Sequence, residues 1–177
     1  MSKYTKLNIG SSKPKGEFRE GDWLSIDVCK QFGVLQMDGT ALGFRDNIFE
    51  TIKAVHVLEH VNRNLREQFI YECHRVLKPG GVCYIEVPDF QEITRMYVQA
   101  ISDQDETSAH KWLTSIYGKQ RYTGDAHNWG YTKTSLAGLF AKVGFSESKV
   151  YRSRESLDHM ISSHYKQEPV LLAIGTK

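Results

Sequence analysis

The feature that most constrains this chain is an alternation. Short β-like runs, each closed by a glycine, an aspartate or a proline, are separated by stretches with helical spacing. The runs lie at residues 6–10, 23–28, 34–38, 49–57 and 81–87. Pro79, Gly80 and Gly81 open the last of these and Pro88 closes it. Between the fourth and fifth runs, Phe69, Cys73, Val76 and Leu77 recur on one helical face. Asn64 is placed to cap that helix, with Glu67 three residues on as in a capping box. A second helix is expected after Thr132 as cap, with Leu136, Leu139, Phe140 and Val143 on one face and Gly144 as a left-handed C-cap. A third is expected over 90–101, and closing strands over 149–152 and 170–175. Strand–helix–strand alternation at this spacing predicts a parallel α/β sheet with right-handed crossovers. The whole chain, 1–177, is expected to form one domain.

One connection departs from the pattern. Only 12 residues separate Gly10 from Trp23, and they include Pro14, Gly16 and Gly21. A parallel crossover usually holds a helix, and this one has no room for a full one. Reduced helix cover is therefore expected between strands one and two. Composition adds exclusions. With 40% apolar and 25% charged residues the chain is neither a disordered tail nor a rod. A balance of 23 basic against 21 acidic residues gives no support to a nucleic-acid partner. Cys29, Cys73 and Cys83 fit no closed disulfide framework, and Cys73 and Cys83 read as small core residues. No apolar leader or membrane-length run is visible, so a reducing, cytoplasmic setting without a membrane is expected.

In open α/β sheets, ligands sit beyond the carboxyl ends of the strands. Strand one ends at Gly10, strand two at Asp27, strand three at Asp38, strand four in the run from His56 to His60, and strand five at Pro88 and Asp89. Glycine lets a ligand approach the backbone closely. A carboxylate can accept from a ribose diol, and a second from an exocyclic amine. Asp27 or Asp38 alone reads equally well as a solvated strand end. Their order along three successive strands favours a nucleoside cradle.

Several runs now carry a resemblance: Leu7 to Ser12, Ser25 to Asp27, Met37 to Gly39 with Leu42 to Phe44, Ala54 to Val61, Glu72 to Gly81 and Tyr84 to Asp89. Together they resemble the class I S-adenosylmethionine-dependent methyltransferases of the type-11-like branch. The resemblance covers about the first half of the chain and continues more loosely through His127, Asn128, Trp129 and the run from Ala141 to Phe145. It implies a Rossmann-like, seven-stranded, mostly parallel sheet with its last strand antiparallel, and S-adenosylmethionine as cofactor. It places Asn8, Gly10 and Ser11 at the methionine end and Asp27 with Val28 at the ribose. Met37, Asp38 and Gly39 would frame the adenine, and His56 would lie beside the transferred methyl. The family's glycine-rich loop is altered here: Asn8 stands for the acid, Ser12 for the second glycine and Pro14 for the third.

Methyl transfer asks little of the protein, because the cofactor already carries an activated methyl group. The chain must position an acceptor and take up a proton. The polar, aromatic, glycine-flanked segment 122–131 suits an active-site cover. It offers His127 as the expected base and Asp125 as a second, with Trp129 near the methyl; a loop or helix-entry histidine is the plainer reading of His127. Some members of this class bind a divalent ion through an acid–x–x–Glu–His run and a distant histidine. His56, Glu59, His60 and His127 would correspond, but Glu–His at this turn more often ties down the chain, and no metal is expected. Trp112, Ile116 and Tyr117 read as helix-face packing, and Arg152 to Arg154 as a solvated strand end. The expected activity is methyl transfer to oxygen or nitrogen of a small molecule or glycan. A non-catalytic module that keeps the cofactor fold and binds a partner chain is the alternative; the retained Asp27 and Asp38 argue against it.

Overall fold

The computed structural model describes residues 4–10, 22–29, 34–153, 166 and 168–177. Strands β1 (Lys6–Ile9), β2 (Trp23–Asp27), β3 (Leu35–Gln36), β4 (Phe49–Val55), β5 (Leu77–Pro88), β6 (Glu147–Arg152) and β7 (Val170–Thr176) form one seven-stranded sheet of order β3-β2-β1-β4-β5-β7-β6. The β1–β2, β1–β4, β2–β3 and β4–β5 pairs are parallel; β7 runs antiparallel to both β5 and β6. Among the described strands only the last is reversed, as the family resemblance implies. The connection between β1 and β2, where reduced helix cover is expected, lies outside the described residues.

Register explains why these short runs cohere. Ile26, Ile9, Ala54, Ile85, Ala173 and Val150 are partners across successive strands, and all six are buried. Strand side chains alternate with period two, so each set fixes the register of its neighbours. The adjacent row of Ser25, Asn8, Lys53 and Tyr84 is polar and mostly half-buried. Helices α1 (Arg66–Val76) and α4 (Lys133–Val143) cover the apolar side through Phe69, Ile70, Val76, Leu136 and Phe140. Helices α2 (Phe90–Ser102) and α3 (Glu106–Tyr117) pair around a separate cluster of Ile93, Ala100, Ala109 and Trp112.

Local signals held at α4. Thr132 Oγ1 accepts from the Ser135 N–H, the Ser135 hydroxyl closes a capping box, and Gly144 takes a left-handed φ of 103°. At α1 they did not. The cap is Leu65, without a side-chain hydrogen bond, and Asn64 instead donates its backbone N–H to Asn62 Oδ1. Glu67 is 2.7 Å from Lys142 Nζ and ties α1 to α4. The strand expected from Gly81 begins at Leu77, because the edge of β4 and the Lys177 carbonyl give residues 77–80 backbone partners. Tyr117, expected in a helix face, is mostly exposed at the end of α3. Arg152 is not a solvated strand end: its Nε donates to buried Asp89 at 2.9 Å. Arg154 lies outside the described residues. Cys73 and Cys83 are buried and Cys29 exposed, all as free thiols. No described helix is long and apolar enough to cross a membrane.

Candidate active site

Two cavities open at the carboxyl ends of the strands, and both are lined by His56 and His60. The first has a volume of about 310 Å³, within the size range of small-ligand sites. Gly10, Asp27, Val28, Met37, Asp38, Gly39 and His56 all line it. The parallel sheet makes this convergence necessary: β1, β2 and β3 are neighbours, so their ends meet on one edge. Asp27 is buried; its Oδ1 accepts from the Cys29 N–H at 2.8 Å. Asp38 accepts from both the backbone and the hydroxyl of Thr40 at 2.8 Å. Gly39 packs against the Phe69 ring, and a Cβ there would overlap it.

One of the expected cofactor residues, Asn8, falls elsewhere. Asn8 is buried within β1 and its Nδ2 donates to Ser25 Oγ at 3.4 Å. Strand alternation turns it to the face opposite Ile9, so it does not line the cavity. Ser11 lies outside the described residues.

The second cavity, of about 380 Å³, is ringed by charge from Glu59, Lys111, Lys119, Arg121, Asp125 and Glu168, and His127 also reaches it. His56 stands between the two spaces with φ at 52°, a left-handed kink that ends β4. Its Nδ1 donates to Glu59 Oε1 at 3.1 Å, and Nε2 is 3.9 Å from Glu86. Burial opposes a charge on His56. The Glu59 hydrogen bond and the charges of Glu59, Glu168 and Glu86 outweigh it and carry the pKa above the ordinary value. Burial likewise opposes charge on Glu59, but the His56 hydrogen bond and the three neighbouring histidines hold its pKa below the usual carboxylate range.

The segment 122–131 divides between the cavities. Tyr122, Thr123 and Gly124 line the first, and Asp125 and His127 the second. Its backbone is sewn to the turn after β4: Asn128 and Trp129 donate to the Glu59 carbonyl at 2.7 and 3.2 Å, and Asn128 Nδ2 to the His60 carbonyl at 2.6 Å. His127 Nδ1 donates to the Ser115 carbonyl at 3.0 Å, which leaves Nε2 as the lone-pair nitrogen. Burial pushes its pKa down, favouring the neutral ring. Asp125 is poorly suited to take a proton. Both its oxygens accept from Arg121, which holds the carboxyl far below its ordinary pKa. The carboxylate instead pins the loop. Trp129 lines neither cavity; its ring sits under the guanidinium groups of Arg63 and Arg66 at 4.9 and 4.8 Å.

Sequence reasoning missed Glu86 and the contribution of residues 122–124 to the first cavity. Glu86 read as one letter in an apolar strand, yet it is wholly buried beside His56.

Comparison with known proteins bears on this arrangement. Residues 18–85 match the family described as a methyltransferase domain. A ubiquinone/menaquinone biosynthesis C-methyltransferase from Blochmanniella pennsylvanica is 24% identical over 148 residues, covering 82% of this chain and 54% of that protein. The chain thus spans about half the length of this curated relative. Among solved structures, an S-adenosylmethionine-dependent methyltransferase from Thermotoga maritima, described as a possible histamine N-methyltransferase, superposes with a TM-score of 0.63 at 16% identity, covering 100% of this chain and 84% of that one. The 1,6-didemethyltoxoflavin-N1-methyltransferase of Burkholderia thailandensis, solved with its substrate and S-adenosylhomocysteine, gives 0.60 at 11% identity, covering 99% and 72%. At these identities the structural likeness speaks for the fold. Domain match and relative converge on one likeness: residues 18–85 match a methyltransferase domain, and the chain is similar in fold to S-adenosylmethionine-dependent methyltransferases.

Proposed function

We propose that this chain transfers a methyl group from S-adenosylmethionine to an oxygen or nitrogen of a small polar molecule or a glycan. The observation that carries the reading is the meeting of the two cavities at His56 and His60. One cavity has hydrogen-bond acceptors placed for a nucleoside, and the other is polar and holds a neutral imidazole.

The first cavity fits the cofactor in chemistry. Asp27 and Asp38 supply acceptors for hydroxyls and an amine, and Met37, Val57, Leu65 and Phe69 supply apolar surface for a purine. When bound, the cofactor supplies an electrophilic methyl group. The chain's part is to hold the acceptor atom in line and to receive its proton. His127 Nε2 is the group for the second task, since the Ser115 carbonyl fixes the Nδ1 proton and burial keeps the ring neutral. Charged walls formed by Lys111, Lys119 and Glu168 favour a polar acceptor over a long apolar one.

The test is methyl transfer from labelled cofactor to a panel of phenols, sugars, amines and quinones, with products mapped by mass spectrometry. Label on oxygen or nitrogen is expected, and His127→Asn should slow it about 10²–10⁴-fold. Label on carbon alone would overturn the acceptor class. Full activity in folded His127→Asn would remove the proposed base.

A further inference from the structure

We infer that the acceptor carries an oxyanion, a carboxylate or a phosphate, and that Lys111 and Lys119 hold it on the α3 wall of the second cavity. The inference rests on the methyl-transfer reading and goes further by naming the charge of the substrate and the residues that select it.

The cavity has two unlike walls. On one stand His56, Glu59 and His60, from the turn after β4. The other comes from α3, where Lys111, Thr114, Ser115 and Gly118 recur at intervals of three and one, the spacing of a single helical face. Ala109, Trp112 and Ile116 take the apolar face and pack into the α2–α3 cluster. A helix of this pattern ordinarily turns its polar face to open water. Here that face lines a cavity, and Lys119 extends it past the end of the helix.

Charge is matched elsewhere in the cavity and unmatched on α3. Glu59 pairs with His56 at 3.1 Å, and the Glu168 carboxylate is 4.0 Å from the same ring. Asp125 is taken by Arg121. Among the described residues, neither Lys111 nor Lys119 has a carboxylate partner. The hydroxyls of Thr114 and Ser115 donate to the His110 and Lys111 carbonyls. The lysines are therefore the α3 side chains left to donate to an oxyanion, and an ammonium is a compact charge with three donors for it.

This wall is also preorganised. Lys111 Nζ lies over the Trp112 ring at 4.3 Å, and that ring is buried in the α2–α3 cluster. The backbone leading to Lys119 is held by His127, whose N–H donates to the Tyr117 carbonyl and whose Nδ1 donates to the Ser115 carbonyl, both at 3.0 Å. Groups fixed before binding lose less freedom when a ligand arrives. With its anion on α3, the acceptor turns its hydroxyl or amine toward the wall of His56 and Glu59, at the boundary with the first cavity.

The test first uses simple oxyanions. Inorganic phosphate and acetate are titrated into the isotope-labelled full chain at constant ionic strength, with chloride as control, and the amide shifts of residues 111–119 are followed by NMR. Saturable shifts with phosphate or acetate and not with chloride are expected, and the tighter of the two identifies the anion. Changing Lys111 and Lys119 together to Gln should weaken binding about 10-fold or more, and changing both to Arg should retain it. Circular dichroism verifies the fold of each. No saturation by either oxyanion, or saturation unchanged in the folded Gln variant, would overturn the inference. Transfer assays keep the two readings apart. With labelled cofactor, D-glucuronate and 4-hydroxybenzoate are compared with neutral D-glucose and 4-hydroxybenzyl alcohol. A lower KM for the acid of a pair is expected, with the preference lost in the Gln variant. Oxyanion binding without transfer to any acceptor of the panel contradicts only the proposed function. Transfer without preference for the acid contradicts only the anion site.

Discussion

Replacing Gly10 by alanine tests how the end of β1 shapes the first cavity. Gly10 has φ of 78°, where an L side chain costs about 1–2 kcal/mol. An added Cβ would also fall inside the contact distance of Val57 Cγ2, a side chain of that cavity. Overpacking of this kind costs about 1–3 kcal/mol more. Gly80 is the matched control: its φ is 76°, and a Cβ there meets nothing within 4 Å. Gly80→Ala should therefore cost only the conformational part, about 1–2 kcal/mol. Gly10→Ala should cost about 2–5 kcal/mol, the two parts together. In a chain of this size each kcal/mol moves Tm by about 2–4 °C, so thermal melts followed by circular dichroism resolve the pair. Only Gly10→Ala should also weaken S-adenosylhomocysteine binding, since Val57 must move. Equal melting losses for the two variants would refute the reasoning, because they would show that Val57 yields without cost.

Two further outcomes follow from named contacts. Asp27→Ala removes the buried carboxylate at the end of β2. It should weaken S-adenosylhomocysteine binding by about 1.5–3 kcal/mol, the scale of hydrogen bonds to a charged group, as read by calorimetry on folded protein. Glu72 accepts from Arg75 and from the Leu42 N–H at 2.7 Å, and the Arg75 hydrogen bond holds its pKa low. A lowered folded pKa gives stability that is present above the ordinary value of about 4.3 and lost as pH falls through the folded one. Urea unfolding should show Glu72→Gln weaker than the parent at neutral pH, with the gap closing in acid; a gap that widens in acid would contradict this.

What was legible in the sequence was what local chemistry decides. The strands announced themselves through apolar runs punctuated by Gly, Pro and Asp. Thr132 and Gly144 bounded α4 because their capping bonds form within a few residues. Gly10, Asp27 and Asp38 could be grouped because parallel topology brings strand ends to one edge. The failures had long-range causes. Glu67 fits a capping box, but Lys142, far along the chain, claims it. Asp125 looks like a base in sequence, and Arg121 removes its basicity. Asn8 stands next to a cavity residue in sequence and faces away from it in space. Glu86 gave no sign of its burial, which depends on the strands either side of β5.

The central claim is that the ends of β1, β2 and β3 bind the nucleoside of S-adenosylmethionine. Calorimetric titration of the purified chain with S-adenosylhomocysteine tests it most directly. The account predicts saturable binding to a single site, weakened by Asp27→Ala while the fold is kept. Absence of heat and of any melting shift at millimolar ligand, in a protein shown to be folded, would contradict it.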